Sequence, residues 1–600
     1  MNLNRYGLKS KGSSNQVSRR MFVLVINNLM INMKIIASAL IFVLFVIGNT
    51  YQTYAQADKP PYISPVPKST FGTTLEQQEQ QLKTDPLVLR FAESRKKQSN
   101  DRYRPLYHFV SPESTLNDPN GLAYWQGNWH LFYQGYPPED RRQHWGHAVS
   151  KDLIHWRDLP YAIYPSPERA VFSGGALVEE DRVIAIYQGT AVGNMVAISK
   201  DPLLLNWEKV TGNAVIPAKS KTGFSLPYSV FDPSIWKKDG IYYSLSAGRR
   251  ARSDGGHFGT ASLFRSKDLA TWEYVHEFVE GDRFTLKGDD YACPYFWPIG
   301  DRYIMPFFSH MSGGQYMLGD YDKERDKFLV SGHGKFNWGA VGPAGVHAPS
   351  ATPDGKGGIV LILNMNQGKP TGEWNHVMTL PRRLTLVGKD EVHQEPTGDI
   401  ESLRYNKQSV GLTKLPANKE VVLKNIKGNA MEISAEINPK KAQVIELNVL
   451  RSPKKEEYTR IIIYKEKGYS KGLNYQAGEG TAYMPADLVS LVTGEQPLPR
   501  TPYTRLSLIS IESSFSSTLP DVQLRAPETA PFMLNPDEPI KLRIFIDKSV
   551  LEVFVNGKQC VAMRVYPGRD DSTGVSILSH GNEAELASLE AWQMKTIYNP

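Results

Sequence analysis

One phrase, written three times, constrains the first half of this chain. Ser150-Lys151-Asp152-Leu153 with Trp156, Ser199-Lys200-Asp201 with Trp207, and Ser266-Lys267-Asp268-Leu269 with Trp272 each end a run of strand-like segments. The spacing is roughly 50 to 65 residues, with apolar/polar alternation and turn formers in between, which is the pattern of stacked propeller blades. Five blades are expected: Asp118–Trp156, Phe172–Trp207, Phe231–Trp272, Tyr291–Phe328 and His347–Leu386. In the repeated phrase the Asp is expected to cap a turn and the Trp to pack between blades. The chemistry then falls to the innermost strand of each blade, whose ends converge on a central funnel.

After Arg404 the pattern changes to long, evenly alternating strands such as Ala430 to Ile437 and Val444 to Leu450. Leu542 to Asp547 and Val550 to Gly557 read as two strands about a tight turn, the second entering an Asn-Gly hairpin. A β-sandwich accommodates so many alternating strands. The expected fold is therefore all-β, a five-bladed β-propeller followed by a C-terminal β-sandwich. The divisions are a leader (1–57), an N-terminal extension of unclear role (58–100), the propeller (101–404) and the sandwich (405–600).

A formal charge of +7 invites a polyanionic partner, but Arg5, Lys9, Lys11, Arg19, Arg20 and Lys34 supply six of those charges before Asp58, with no acid among them. The remainder is nearly neutral, which removes the case for nucleic acid. Lys34, the apolar run Ile35 to Ile47 and Ala55-Gln56-Ala57 read as a signal peptide starting at Met33. The run is short for a stable span, which needs about 20 residues. The mature chain is thus expected to be secreted or periplasmic and to keep no membrane span. Cys293 and Cys560 are the only cysteines, far apart, so no disulfide framework exists. His144, His147, His310 and His347 are scattered, without metal-ligand spacing, and no metal or organic cofactor is expected.

Asn117-Asp118-Pro119-Asn120-Gly121 sets a carboxylate in a Pro/Gly-rich turn just before the strand-like run Leu122 to Tyr133. Alone this is an ordinary turn. With Trp145-Gly146-His147, Phe172-Ser173-Gly174-Gly175, His393-Gln394-Glu395-Pro396 and Leu403-Arg404 in this order, however, the chain resembles glycoside hydrolase family 32, the β-fructosidases, over most of residues 101 to 598. The resemblance implies a retaining glycosidase with Asp118 as nucleophile, kept ionised by donors such as Asn117 and the turn's backbone N–H groups. It implies Asp232, in Phe231-Asp232-Pro233, as stabiliser of the transition state. Asn117, Gln134, Trp145, Phe172 and Ser173 match its substrate-binding set, with Trp145 expected to cover an apolar sugar face.

Two departures stand out. Phe231 occupies the place of an Arg in that family, so either the sugar in the deepest subsite differs or Arg249 or Arg250 reaches in from the neighbouring strand. Ala292, in Ala292-Cys293-Pro294, occupies the place of the acid/base Glu. Residues two apart on a strand share a face, so Asp290 is the candidate replacement and Asp289 points away. A rival reading makes Asp289-Asp290 a solvated acid pair. His310 is read as a hydrogen-bonded structural histidine rather than a group polarising the leaving group. The expected function is cleavage of terminal β-fructofuranosyl residues from sucrose or fructans. The alternatives are a glycosidase on another furanoside, or a carbohydrate-binding protein without turnover.

Overall fold

The structure is a computed structural model that describes residues 63–220, 224–253, 255–465, 470–471, 504–505, 507–535 and 537–598. The expected leader, its start at Met33 and the first residues of the extension lie outside the described residues. The chain is nearly all β. Among the described residues α-helix is confined to α1 (Leu75–Leu82) and α2 (Pro86–Gln98), and neither is long and apolar enough to cross a membrane.

Between residues 116 and 396 the described residues form five sheets in chain order, spanning 116–163, 171–217, 231–277, 279–335 and 346–396, antiparallel except where Val279–Glu280 joins the fourth sheet parallel to Lys327–Lys335. Each sheet is apolar on both faces, so it must pack on two neighbours. Separate cores lie between the first and second sheets (Phe132, Trp145, Tyr187), the second and third (Ile186, Ile235, Phe264), and the third and fourth (Leu263, Phe296, Met305). Two more lie between the fourth and fifth (Ile304, Leu361, Leu363) and the fifth and first (Ile362, Leu131, Ala148), so the series closes on itself. The inner strands meet directly: Leu116–Trp125 touches both Val171–Val178 and Val346–Pro353.

The repeated phrase is structural. Asp152 accepts from the backbone N–H groups of Ile154 and His155, Asp201 from those of Leu205 and Asn206, and Asp268 from those of Ala270 and Thr271. Each turn holds a leucine in the left-handed region, Leu153 at φ 70°, Leu204 at φ 52° and Leu269 at φ 67°. Trp156, Trp207 and Trp272 pack into the cores between sheets.

The described residues of 404–594 form a seven-stranded and a six-stranded antiparallel sheet with one apolar core between them, and a two-stranded pair, Ser470–Lys471 with Thr504–Arg505. The expected hairpin is present. Ile540–Asp547 pairs with Val550–Val555, which then turns through Asn556 (φ 51°) and Gly557 (φ 63°) into Gln559–Arg564. Two positive φ values are what a tight hairpin turn requires.

That hairpin carries the lock between the two halves. Asp547 accepts from the backbone N–H groups of Leu106, Tyr107 and His108 and lies 2.9 Å from His108 Nδ1. Glu552 lies 3.2 Å from His108 Nε2 and accepts from Leu380 N and from Arg382 Nη2, the last at 2.8 Å. His108, Asp547, Glu552 and Arg382 are all inaccessible to solvent. Burial alone would depress the His108 pKa, but its hydrogen bonds to Asp547 and Glu552 outweigh this and raise it above 6.5. A protonated His108 with Arg382 balances the two carboxylates.

The extension is a strap over the first two sheets. A capping box at Thr74 and Gln77 starts α1, and Asp85 before Pro86 starts α2. Phe71 and Leu82 pack on Val149, Leu159 and Leu203, Gln78 donates to Asp201, and Arg95 grips Asp158 through two hydrogen bonds.

His108→Gln is expected to destabilise the folded chain by about 3 kcal/mol, because it strands buried carboxylates without their cation. The sign of the pH dependence follows from the raised value. The His108 contribution is complete below 6.5 and fades as pH rises through the folded pKa. Urea unfolding of wild type and variant across pH 5 to 9 reads both effects, with the gap narrowing at the alkaline end.

Candidate active site

The inner strands of four sheets lose register at equivalent places: between Leu116 and Pro119, Val171 and Gly174, Phe231 and Pro233, and Val346 and Pro349. The residues left out of register include Asp118, Ser173, Asp232 and His347. Such a bulge bends the strand and re-aims a side chain. The Pro or Gly just beyond tolerates the break, since Pro has no N–H to leave unpaired. In the fourth sheet Ala292 makes a lone bridge to Phe308, and Cys293 turns at φ 50° before Pro294. Asp232 sits at φ 43°. Left-handed backbone at a non-glycine costs about 1–3 kcal/mol, and it persists only where the surroundings enforce it.

Asn117-Asp118-Pro119-Asn120-Gly121 is therefore not a turn before a strand. It lies inside the strand Leu116–Trp125, which carries a second irregularity between Asn120 and Ala123, and the turn falls at Gln126-Gly127.

Asp118 is the centre of the cluster. Its Oδ2 accepts from Ser173 Oγ at 2.6 Å and Gln134 Nε2 at 3.2 Å, with Cys293 Sγ at 3.8 Å. Its Oδ1 is buried with no hydrogen-bond partner, 3.4 Å from His347 Nδ1. Burial pushes the Asp118 pKa up, but His347 and Ser173 outweigh it and hold the value below 3.8, so the carboxylate is ionised. Asp232 faces it across Cys293, whose Sγ lies 3.6 Å from Asp232 Oδ2. Burial, together with the nearby charge of Asp118, pushes Asp232 up to about 7. The same burial and the two carboxylates push the Cys293 thiol up, so it stays protonated and donates. Two carboxyls flanking one thiol, one held ionised and one titrating near neutrality, are how a site divides two roles between like groups.

Beyond this pair, Asp290 is buried, with Oδ1 taken by His310 N at 3.0 Å and Oδ2 by Arg249 Nη2 at 2.5 Å. His310 Nδ1 lies 3.2 Å and 3.0 Å from the two oxygens. Burial would raise the Asp290 pKa, but His310 and Arg249 hold the carboxyl far below the ordinary range. Asp289 points the other way, accepting from Ser309 and Ser312, so the alternation argument for the two acids holds. The expectation that Asp290 transfers the proton does not fit this setting, because both oxygens are engaged and the group is fixed in its ionised form. Arg249, not Arg250, is the arginine that reaches in. Its guanidinium lies over the Phe231 ring at 5.0 Å, while Arg250 pairs with Glu277.

The other expected residues divide. Gln134 and Ser173 join Asp118 directly. Asn117 does not donate to Asp118: its amide reaches Gln134 at 3.4 Å and its Oδ1 accepts from Asn364. The side chains of Gln134 and Ser173 take its place because the bulge turns the Asp118 carboxylate towards them. Trp145 cannot cover a sugar, being wholly buried in the core between the first and second sheets with its Nε1 on the Phe172 carbonyl. Phe172 is half-buried beside Ser173. Among the described residues no three His, Cys, Asp or Glu groups gather in a metal-holding cluster.

Residues 108–396 match the profile of the glycosyl hydrolases family 32 N-terminal domain, and residues 399–593 that of the glycosyl hydrolases family 32 C terminal. The chain belongs to glycoside hydrolase family 32. It is an enzyme, a glycosidase of β-fructofuranosidase-like type. It is 28% identical to a levanase of Bacillus subtilis (strain 168) over 547 residues, covering 83% of this chain and 71% of the levanase. It is 26% identical to the β-fructofuranosidase, insoluble isoenzyme 2, of Daucus carota, covering 82% of this chain and 89% of that one. In fold it is similar to the crystal structure of fructan 1-exohydrolase IIa from Cichorium intybus, with a TM-score of 0.66 at 22% identity over 83% of this chain and 98% of that one. The family architecture, a β-propeller followed by a β-sandwich, is the frame of the nearly all-β chain.

Two members of the cluster escaped the sequence reading, Cys293 and His347. Cys293 directly precedes a Pro, as Asp118 and Asp232 do, and that shared position was the available signal, whereas His347 lies two residues before Pro349 and had only the break itself to mark it.

Ser173→Ala removes a donor to ionised Asp118, and a hydrogen bond to a charged group contributes about 1.5–3 kcal/mol. The donor favours the charged form, so its loss raises the Asp118 pKa. The acidic limb of kcat/KM is expected to move up by about one pH unit or more, read from a pH–rate profile of glycoside hydrolysis.

Proposed function

We propose that this protein cleaves terminal β-fructofuranosyl residues from sucrose or a fructan by retaining double displacement, with Asp118 as nucleophile and Asp232 stabilising the transition state. The observation that carries the reading is the state of the pair. Asp118 is held ionised by His347 and Ser173, and Asp232, pushed up to about 7, can in its protonated form donate to a sugar hydroxyl. The levanase and β-fructofuranosidase relatives support fructose as the sugar. Gln134 and Ser173 orient the nucleophile, Phe172 borders it, and Arg249 supplies beside Phe231 the positive charge that Phe231 lacks. The five sheets are read as five blades, with the catalytic domain ending near residue 404 and the sandwich following. The leader, with Lys34, the apolar run Ile35 to Ile47 and Ala55-Gln56-Ala57, is read as a signal peptide, and on that reading the mature chain is exported.

A second reading has one observation in its favour. Ala292 is buried with Cys293, Phe308 and Ala348 in an apolar cluster, so no carboxyl stands at the family's acid/base position, as in a sugar-binding protein without turnover.

Reducing-sugar release from sucrose, levan and inulin separates the two. The expected result is fructose release with retained configuration, lowered at least about a thousandfold in Asp118→Asn. Binding of these sugars without release would favour the second reading.

A further inference from the structure

Retaining hydrolysis needs a proton donor to the leaving oxygen, and the position from which the family would supply it is Ala292. The main chain here is informative. Ala292 bridges Phe308 in antiparallel register, and Phe308 N donates to Ala292 O at 2.8 Å. Two residues back along one segment and two forward along the other, Asp290 comes opposite His310, on the same side as Ala292. The carboxylate and the imidazole are thus brought together by the fold at the rim of the site that lost its carboxyl.

We propose that His310 is the general acid/base of this enzyme and Asp290 its positioning residue, an assignment that rests on the fructosidase reading above. Asp290 grips the Nδ1 edge of the ring, taking the Nδ1–H and the His310 backbone N–H, which leaves Nε2 as the working nitrogen. Among the described residues nothing hydrogen-bonds Nε2, and the side chain is 58% exposed, in contrast to the 2% of Asp290. Phe308, edge-on to His310 at 5.3 Å, also packs against His347 at 3.9 Å, and His347 touches Asp118. The ring is therefore joined to the nucleophile through Phe308 and His347, and its side chain is largely open to solvent.

The charges around the ring favour its protonated form. Asp290 acts first through its hydrogen bond, partial burial opposes it, and the fields of Asp290, Asp232 and Asp118 add to raise the His310 pKa above 6.5. Arg249 reaches it only across Asp290, and His347 lies behind Phe308. An imidazolium is therefore available near neutral pH, as an acid must be.

The steps balance. The Asp118 carboxylate attacks the anomeric carbon of the fructosyl unit, the glycosidic C–O bond breaks, and its electron pair goes to the leaving oxygen, which takes the Nε2 proton of His310. Neutral His310 then removes a proton from water as the water oxygen bonds to the anomeric carbon. The bond to Asp118 breaks, and the carboxylate and imidazolium are restored.

The test compares wild type, His310→Ala, His310→Gln and Asp290→Asn of the full-length protein on sucrose and on p-nitrophenyl β-D-fructofuranoside, with and without sodium azide. A nitrophenolate leaves without protonation, and azide attacks without a general base. Both His310 variants are expected to lose sucrose hydrolysis at least about a hundredfold, to form the fructosyl-enzyme on the aryl substrate within about tenfold of wild type, and to regain turnover with azide as a fructosyl azide of retained configuration. In wild type the basic limb of kcat/KM follows His310, and in Asp290→Asn it moves to lower pH, because the group that favours the cation is gone. Sucrose hydrolysis at wild-type rate in the His310 variants, or equal loss on both substrates with no azide rescue while fructose still binds, would overturn the assignment. A wild type that releases fructose from neither substrate nor from fructan would instead bring down the fructosidase reading, and the acid/base role with it.

Discussion

A β-strand points alternate side chains to opposite faces, and in this molecule both faces of every sheet in residues 116 to 396 are apolar cores. A polar side chain can reach the common centre only where the ladder is broken. That constraint explains why Asp118, Ser173, Asp232 and His347 all stand at register breaks, and why Cys293 stands at a left-handed turn beside a lone bridge. The strain of positive φ at Asp232 and Cys293 belongs to the same solution. The cores on either side supply the rigidity that keeps these departures in place.

The second constraint is the buried quartet at the junction. His108 enters from the lead-in to the first sheet, Arg382 from the fifth sheet, and Asp547 and Glu552 from one sandwich hairpin. Buried ion pairs are weak sources of net stability, but removing one member is costly, so such a cluster fixes geometry more than it adds energy. It ties the beginning and end of the ring of sheets to the same hairpin. The strap of α1 and α2 does the corresponding work on the first two sheets with apolar contacts and the Arg95–Asp158 pair.

Much of the fold was legible because its signals are local. The Asp-Leu…Trp phrase, the alternation of strands and the Asn556-Gly557 turn each act within a few residues, and the structure uses each as read. The capping signals at Thr74-x-x-Gln77 and Asp85-Pro86 were equally local but passed unread in a charged, Gln-rich stretch. At the site, the motifs singled out Asp118 and Asp232, which meet on either side of Cys293, and strand alternation separated Asp290 from Asp289, as their different partners show. What sequence could not give was which side a residue faces next to a bulge. Hence Trp145 looked like a sugar platform but lies in a core, and Asn117 looked like a donor to Asp118 but serves Gln134 instead. Nor could it give the partners of Asp290, since Arg249 and His310 come from other hairpins and meet it only through tertiary packing.

The separation between break points and cores has a consequence for how such a molecule can change. Each polar position occupies its own interruption in its own strand, and the apolar layers that hold the chain together do not depend on what stands there. Ala292 is a case in point: a methyl group sits where the motif this segment resembles has an acid, and it packs with Cys293, Phe308 and Ala348. Chemistry in this scaffold can therefore be lost, relocated or rebuilt one position at a time while the apolar layers keep their packing.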